Sequence, residues 1–135
     1  MKTELTLTRE PLDEEALLRS RRVSPTMGAV VYFAGLVRGT EAGSSISALD
    51  YEAFSEMAEH QFRKIFAAVE HRWPVSSIRL VHRLGVVPVN EVSLWVEVVA
   101  PHRGEAFAAT QYLIDEMKVL VPIWKKVVAS EQSAP

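Results

Sequence analysis

The sequence predicts an α+β fold in which two main helices pack on one face of a mainly antiparallel sheet. From residue 46 onward, the patterns run in the order strand, helix, strand, strand, helix, strand. The two helical segments carry apolar residues at the three- and four-residue spacing of a helix that packs on a core. The strand segments mostly alternate apolar and polar residues, and two of them are close enough in sequence to form a hairpin.

Length and composition are those of one globular domain spanning residues 1–135, whose ends, 1–9 and 129–135, we expect to fray. Hydrophobic residues make up 48% and the net charge is −2, which disfavours a nucleic-acid or anionic-lipid binder. The absence of cysteine excludes disulfides, thiolate metal sites and cysteine nucleophiles. No apolar signal core or membrane-length apolar run is present, so we expect a cytoplasmic protein.

The first third of the chain contains two predicted strands and one short helix. Residues 3–8 alternate, with leucines on one side and polar residues on the other. Pro11 is expected to open a helix over 12–19, because proline suits the first helical turn and acidic residues follow it. Residues 28–38 are nearly continuous in apolar side chains, which predicts a central strand covered on both faces.

The middle of the chain continues with a predicted strand over 46–54. Ser55 is the predicted N-cap of a helix that runs to about Arg72. Residues 78–84 and 92–99 then alternate as two strands, and the seven residues between them predict a hairpin with a longer loop.

The segment 101–126 holds the second main helix and most of the candidate chemistry. Lys118 falls at the border of the apolar face, where its stem can be buried while its ammonium reaches a pocket mouth. Pro122 should end the helix near Leu120, and 123–128 should form the last strand. The predicted apolar face consists of Ala106, Phe107, Thr110, Leu113, Ile114, Met117, Leu120 and Val121.

Five cationic or imidazole side chains lie at the ends of predicted elements: Arg38, His102, Arg103, Lys118 and Lys125. Each alone has an ordinary structural explanation, such as a helix dipole or a solvated strand edge. Together they suit a phosphorylated small molecule, because arginine and a helix start both bind phosphate oxygens. Lysine near other cations is also a better base or nucleophile. The four histidines show no metal-site spacing, so no metal centre is predicted.

Three motifs in the right order then resemble the MoaE family, the large catalytic subunits of molybdopterin synthases. They are F-x-G-x-V-R over 33–38, H-R-x-x-A-F over 102–107 and K-x-x-x-P-x-W-K over 118–125. The resemblance extends over roughly 28–126. Members of that family usually continue past the last motif with a further segment containing tryptophan. We therefore expect any contact normally made by that segment to be missing or altered here.

The resemblance implies an α/β-hammerhead fold with an added antiparallel sheet, and it implies a reaction. The family converts cyclic pyranopterin monophosphate to molybdopterin by installing the two dithiolene sulfurs. The sulfur comes from a small ubiquitin-like partner whose C-terminal Gly-Gly ends in a thiocarboxylate. No cofactor is implied. Family enzymes are heterotetramers built around a dimer of large subunits. The alternative that the residues leave open is a non-catalytic dimeric module that binds a phosphorylated metabolite.

Carried over position by position, the resemblance makes Lys118 and Lys125 the catalytic pair and leaves open which lysine holds the thiocarboxylate and which stabilises the oxyanion. His102 and Lys118 are sixteen residues apart on one helix. That is about 24 Å at 1.5 Å per residue, so we expect the two ends to serve different pockets across a dimer. The implied substrate-binding residues are Leu36, Val37, Arg38, His102, Arg103, Lys126 and Val127.

Overall fold

Two β-sheets and three helices make up residues 1–130, the part of the chain that the computed structural model describes. Residues 131–135, within the segment expected to fray, lie outside the described residues. The elements are β1 (Lys2–Thr8), α1 (Glu14–Arg19), β2 (Ala29–Leu36), β3 (Thr40–Glu41), β4 (Ser44–Ala53), α2 (Ser55–Arg72), β5 (Ser77–Arg83), β6 (Gly85–Pro88), β7 (Val92–Ala100), α3 (Arg103–Leu120) and β8 (Ile123–Ala129).

The main sheet has the strand order β1-β5-β7-β2. Strand β7 pairs antiparallel with both β5 and β2, whereas β1 pairs parallel with β5 along its whole length. The predicted α+β class with a mainly antiparallel sheet is therefore confirmed. The predicted hairpin of β5 and β7 is also confirmed, with Val81 opposite Trp95.

The prediction that 28–38 forms a central strand is wrong. Strand β2 is an edge strand of the main sheet and pairs with β7 alone among the described strands. Its Phe33 and Leu36 are exposed by 37% and 56%. The expected coverage on both faces is also wrong, because no residue of β2 is buried. A continuous apolar run therefore indicates neither how well a strand is covered nor which strands flank it.

Helices α2 and α3 pack against each other, and α3 also packs on β2 and β7. The stripe that α3 buries recurs every three or four residues, at Ala106, Ala109, Thr110, Leu113 and Met117. Two members of the predicted face are exposed instead. One side chain lies at the flank of the buried stripe and the other in the last turn: they are Phe107 and Leu120. Within residues 1–130, no helix is long and apolar enough to cross a membrane.

The second sheet is built around β4. This strand pairs antiparallel with β6 along Ala48–Tyr51 and with β8 along Ile46–Ala53, so it lies between them. Strand β6 falls inside the segment predicted as a hairpin loop, and this sheet covers a small core of its own: Val37, Ile46, Leu49 and Val87. The chain therefore leaves the main sheet after β5, adds a strand to the second sheet and returns.

Both main helices end as the sequence requires, although one begins differently. Helix α3 stops at Leu120, and Val121 is extended with φ −88° and ψ 125° because Pro122 follows. The carbonyl of Pro122 accepts a hydrogen bond from the Phe54 N–H at 3.3 Å, which ties the turn to the start of α2. The prediction of Ser55 as an N-cap is wrong: Phe54 is the N-cap, and Ser55 is the first helical residue.

The outer face of the main sheet carries a buried ion pair that also holds α1. The Arg79 guanidinium donates to both carboxylate oxygens of Glu97 at 2.7 Å, and Glu97 is only 2% exposed. The same guanidinium donates to the Leu17 carbonyl at 2.7 Å and to Ser20 Oγ at 2.8 Å. Hydrogen bonds to the Glu97 carboxylate raise the pKa of Arg79. This pair therefore fixes the C-terminal end of α1 against β5 and β7.

We expect Phe62→Ala to lower the free energy of unfolding by about 3–5 kcal/mol. Phe62 is fully buried on α2 and stacks with Phe66 at a ring distance of 6.1 Å, so the truncation leaves a cavity. The matched control is Phe107→Ala, which truncates a ring that is 60% exposed and should change stability by less than about 1 kcal/mol. Urea unfolding of both variants measures this, and equal losses would contradict the described core.

Candidate active site

A cleft of about 820 Å³ opens where the edge of the main sheet meets the second sheet and the end of α3. Ligand sites are commonly concavities of this size between packed elements. Its lining comes from six strands and one helix: Phe33, Ala34, Gly35, Leu36, Arg38, Glu41, Leu49, Tyr51, His82, Ser93, Leu94, Ile114, Met117, Lys118, Val121, Ile123, Trp124 and Lys125.

Four of the predicted site residues line this cleft: Leu36, Arg38, Lys118 and Lys125. Leu36 ends β2 and Arg38 follows it, Lys118 lies in the last turn of α3, and Lys125 lies on β8. The three cationic side chains thus reach one cavity from three separate elements, although they are up to 87 residues apart in sequence (125 − 38). Such a cluster attracts an anionic ligand despite the net charge of −2.

Strand alternation decides which lysine of β8 faces the cleft. Tyr51 is paired with Lys125 and Asp50 with Lys126 in the ladder between β4 and β8. Lys125 lines the cleft and Lys126 does not, which agrees with successive side chains of a strand pointing to opposite faces. Val127 is 46% exposed and also lies outside the lining.

Val37 lies behind the cleft rather than in its wall. Its side chain is 1% exposed and belongs to the core of the second sheet. Its N–H donates to the Glu91 carbonyl at 3.1 Å, and its carbonyl accepts from the Asn90 N–H at 2.8 Å. These contacts fix the backbone between Leu36 and Arg38, so Val37 can position both neighbours without touching a ligand.

His102 and Arg103 are not brought to this cleft. His102 is the N-cap of α3 and Arg103 its first residue, at the opposite end of the helix from Lys118. The His102 side chain is 80% exposed, with Nδ1 at 3.4 Å from Glu105 Oε1. The predicted separation of the two ends along α3 is therefore present within one chain.

The two lysines of the cleft differ in their partners. Lys125 Nζ lies 3.2 Å from Glu41 Oε1, and Glu41 is carried by the short strand β3. Among residues 1–130, no ion pair or hydrogen bond engages the side chain of Lys118, which is exposed beside Ile114 and Met117. Lys125 is thus held in place as an ammonium–carboxylate pair, whereas the Lys118 amine remains available to a ligand.

His82 is a buried group of the cleft that the sequence analysis did not assign to the site. It alternates with apolar residues on β5, and that pattern is typical of a half-buried strand histidine with a structural role. Its Nδ1 lies 2.8 Å from the Arg83 carbonyl, which can only accept, so Nδ1 carries the proton and Nε2 is an acceptor. Desolvation by burial lowers the pKa of His82, and the backbone hydrogen bond opposes that effect.

Tyr51 and Ser93 complete a polar group beside His82, and both were missed. The Tyr51 ring meets the His82 ring edge-on at 5.1 Å. Tyr51 Oη donates to Ser93 Oγ at 3.3 Å, and Ser93 Oγ donates to the Gly35 carbonyl at 3.3 Å. Each residue lies in an ordinary strand pattern, and what brings them together is the packing of β4 of the second sheet against β5 and β7 of the main sheet.

We expect stability to fall as the pH drops below about 6.5, with His82 contributing to the loss. Because burial lowers its pKa in the folded state, the unfolded chain binds more protons in this window, which favours unfolding. His82→Asn should reduce the difference between free energies of unfolding at pH 7.5 and pH 5.5. His60→Asn, which removes an exposed histidine of α2, is the control and should keep the wild-type difference. Equal pH dependence in all three proteins would contradict this role of His82.

Comparison with known proteins identifies relatives of this chain. The sequence profile of the MoaE protein family matches residues 7–119. The human molybdopterin synthase catalytic subunit is 42% identical over 111 residues, which are 82% of this chain and 59% of the human protein. The chain thus spans less than two thirds of the length of that relative.

Two solved structures have the same fold. Molybdopterin synthase from Staphylococcus aureus superposes with a TM-score of 0.82 at 33% identity, covering 95% of this chain and 91% of the other. A complex of subunits 1 and 2 of the molybdopterin-converting factor from Helicobacter pylori gives 0.74 at 23% identity, covering 98% and 93%, which supports the fold alone. With its profile match, its relatives and its architecture in agreement, this chain belongs to the MoaE protein family.

Proposed function

We propose that this chain is the catalytic subunit of a molybdopterin synthase and forms one domain over residues 1–135. It converts cyclic pyranopterin monophosphate to molybdopterin with sulfur from the C-terminal thiocarboxylate of a small ubiquitin-like partner. The observation that carries the proposal is the convergence of Arg38, Lys118 and Lys125 on one cleft of a MoaE-family chain. The cysteine-free sequence is consistent with a cytoplasmic location.

The three cations suit the charges of this reaction. The thiocarboxylate and the phosphate are both anions, and Arg38 offers the planar fork that binds phosphate oxygens. Lys125, held in position by Glu41 at 3.2 Å, can stabilise the oxyanion that develops at the acyl carbon. Lys118 has no carboxylate partner among residues 1–130, so it holds the thiocarboxylate or moves protons as the sulfur attacks the pterin side chain.

The other proposed substrate-binding residues act from the border of the cleft or from a second subunit. Leu36 lines the cleft wall, and Val37 fixes the backbone that presents it. Lys126 and Val127 keep the β8 ladder next to Lys125 in register. His102 and Arg103 lie too far along α3 to reach the same small molecule, so they serve the pocket of a neighbouring subunit. This arrangement suits a dimer of catalytic subunits at the centre of a heterotetramer.

We expect Lys118→Ala and Lys125→Ala each to lower molybdopterin formation by roughly 100-fold or more, because each removes a positive charge that faces the reacting groups. The assay mixes this chain with a thiocarboxylated partner and the cyclic pterin. Lys64→Ala, which truncates an exposed lysine on α2, is the matched control and should retain wild-type turnover. Full activity of both cleft variants would sink the proposed site. Ligand binding without turnover, in wild type and variants alike, would favour the non-catalytic module.

We expect two inactive variants to restore activity when they are mixed. One carries His102→Ala with Arg103→Ala, and the other carries Lys118→Ala. A hybrid dimer contains one pocket in which Lys118 of one subunit and His102 and Arg103 of the other are all intact. Random exchange makes about half of the dimers hybrids with one working pocket of two, so about one quarter of wild-type turnover should return. Turnover before and after denaturing and refolding the mixture measures this. No recovery in a mixture shown to contain hybrid dimers would mean that both ends serve the pocket of their own chain.

A further inference from the structure

We propose that the floor of the cleft is an acceptor subsite, where His82 Nε2 and Tyr51 Oη receive hydrogen bonds from N–H groups of the substrate's heterocyclic ring. The inference rests on the proposed function, since the ring is that of the pterin. It adds two positioning residues that none of the sequence motifs contains.

The tautomer of His82 is fixed by its backbone contact. A flipped ring would forfeit the 2.8 Å hydrogen bond from Nδ1 to the Arg83 carbonyl, and the edge-on Tyr51 ring at 5.1 Å packs against the imidazole. The side chain is 5% exposed and borders the cleft. With Nδ1 committed as a donor, the remaining ring nitrogen presents a lone pair and no proton.

The proton of Tyr51 is also committed. Its hydroxyl donates to Ser93 Oγ, and the Ser93 hydroxyl donates in turn to the Gly35 carbonyl. A phenolic oxygen that has used its proton in this way retains lone pairs for acceptance. The chain from Tyr51 to Gly35 therefore orients a second acceptor beside the first, and neither group has a donor left for a ligand.

The cleft is thus divided into a part that donates hydrogen bonds and a part that accepts them. Its cationic groups, Arg38, Lys118 and Lys125, are exposed and can only donate, and the one carboxylate of the lining, Glu41, is paired with Lys125. The floor, by contrast, can only accept. A ligand that carries an anion at one end and N–H donors at the other satisfies both parts. A pterin phosphate has this polarity, because its aminopyrimidinone ring carries amide and amino N–H groups.

The walls beside the floor favour a flat ring over a peptide. Leu49, Leu94 and Met117 line the cleft without offering hydrogen bonds from their side chains. Apolar walls with a few convergent polar groups are the usual environment of a bound heterocycle. An extended peptide, such as the C-terminus of the partner, needs donors and acceptors along its whole length, and these three side chains supply none.

Binding of a pterin that carries no phosphate tests the subsite separately from turnover. We expect Tyr51→Phe and His82→Asn each to weaken this binding by roughly 3- to 10-fold, the range of one lost hydrogen bond. Asparagine keeps an amide donor near the Nδ1 position but removes the Nε2 acceptor. Tyr32→Phe is the matched control, because its hydroxyl lies 3.3 Å from Arg21 and outside the cleft lining. Binding of inorganic phosphate should be unchanged in all three variants.

Calorimetry with the unphosphorylated pterin and with inorganic phosphate gives both affinities, and a thermal melt confirms that each variant is folded. Wild-type affinity for the pterin in the two floor variants would overturn the inference, as would failure of the wild-type chain to bind it. Reduced affinity of these variants for the C-terminal peptide of the partner, with pterin binding intact, would assign the floor to the peptide and also overturn it. Absence of turnover in wild type would instead contradict the proposed function. The pterin affinities would still show whether His82 and Tyr51 form an acceptor subsite.

Discussion

The antiparallel ladder between β4 and β8 is the constraint on which the cleft depends. It places Lys125 beside Tyr51, and the turn at Pro122 that precedes it brings the end of α3 to the same side. Since α3 also packs on β2 and β7, its last turn is held between the two sheets. The position of Lys118 therefore follows from a backbone pairing rather than from a contact of its own side chain.

The charged side chains of the cleft lie apart from its hydrogen-bond acceptors, because the two kinds of group differ in the energetic cost of burial. Lysine and arginine are costly to bury without a partner, so they lie on exposed parts of the lining, where water can solvate them until an anion replaces it. A neutral imidazole and a phenol can occupy the interior because each satisfies its proton within the protein. Glu41 adds a carboxylate that holds one cation in position.

The sequence correctly predicted the structural features that depend only on residues close together in the chain. The end of α3 at Leu120, the turn at Pro122 and the border position of Lys118 all follow from helical periodicity and proline chemistry. The edge position of β2 depends on which strands pair, and the contact of Tyr51 with His82 depends on how the two sheets pack. No short sequence pattern encodes either one. The motifs that resemble the MoaE family lie mostly on the cationic side of the cleft, so resemblance did not indicate the floor either.

The same ladder has a consequence for the order in which the protein becomes functional. Strand β4 meets β8 only after the intervening helices and the β5–β7 hairpin have been synthesised, since the ladder joins Ile46 to Ala129. Contacts this distant in sequence incur a large loop-closure entropy and form slowly. A nascent chain can therefore bury the α2 side of its main sheet early, but its cleft is complete only when β8 has docked on β4.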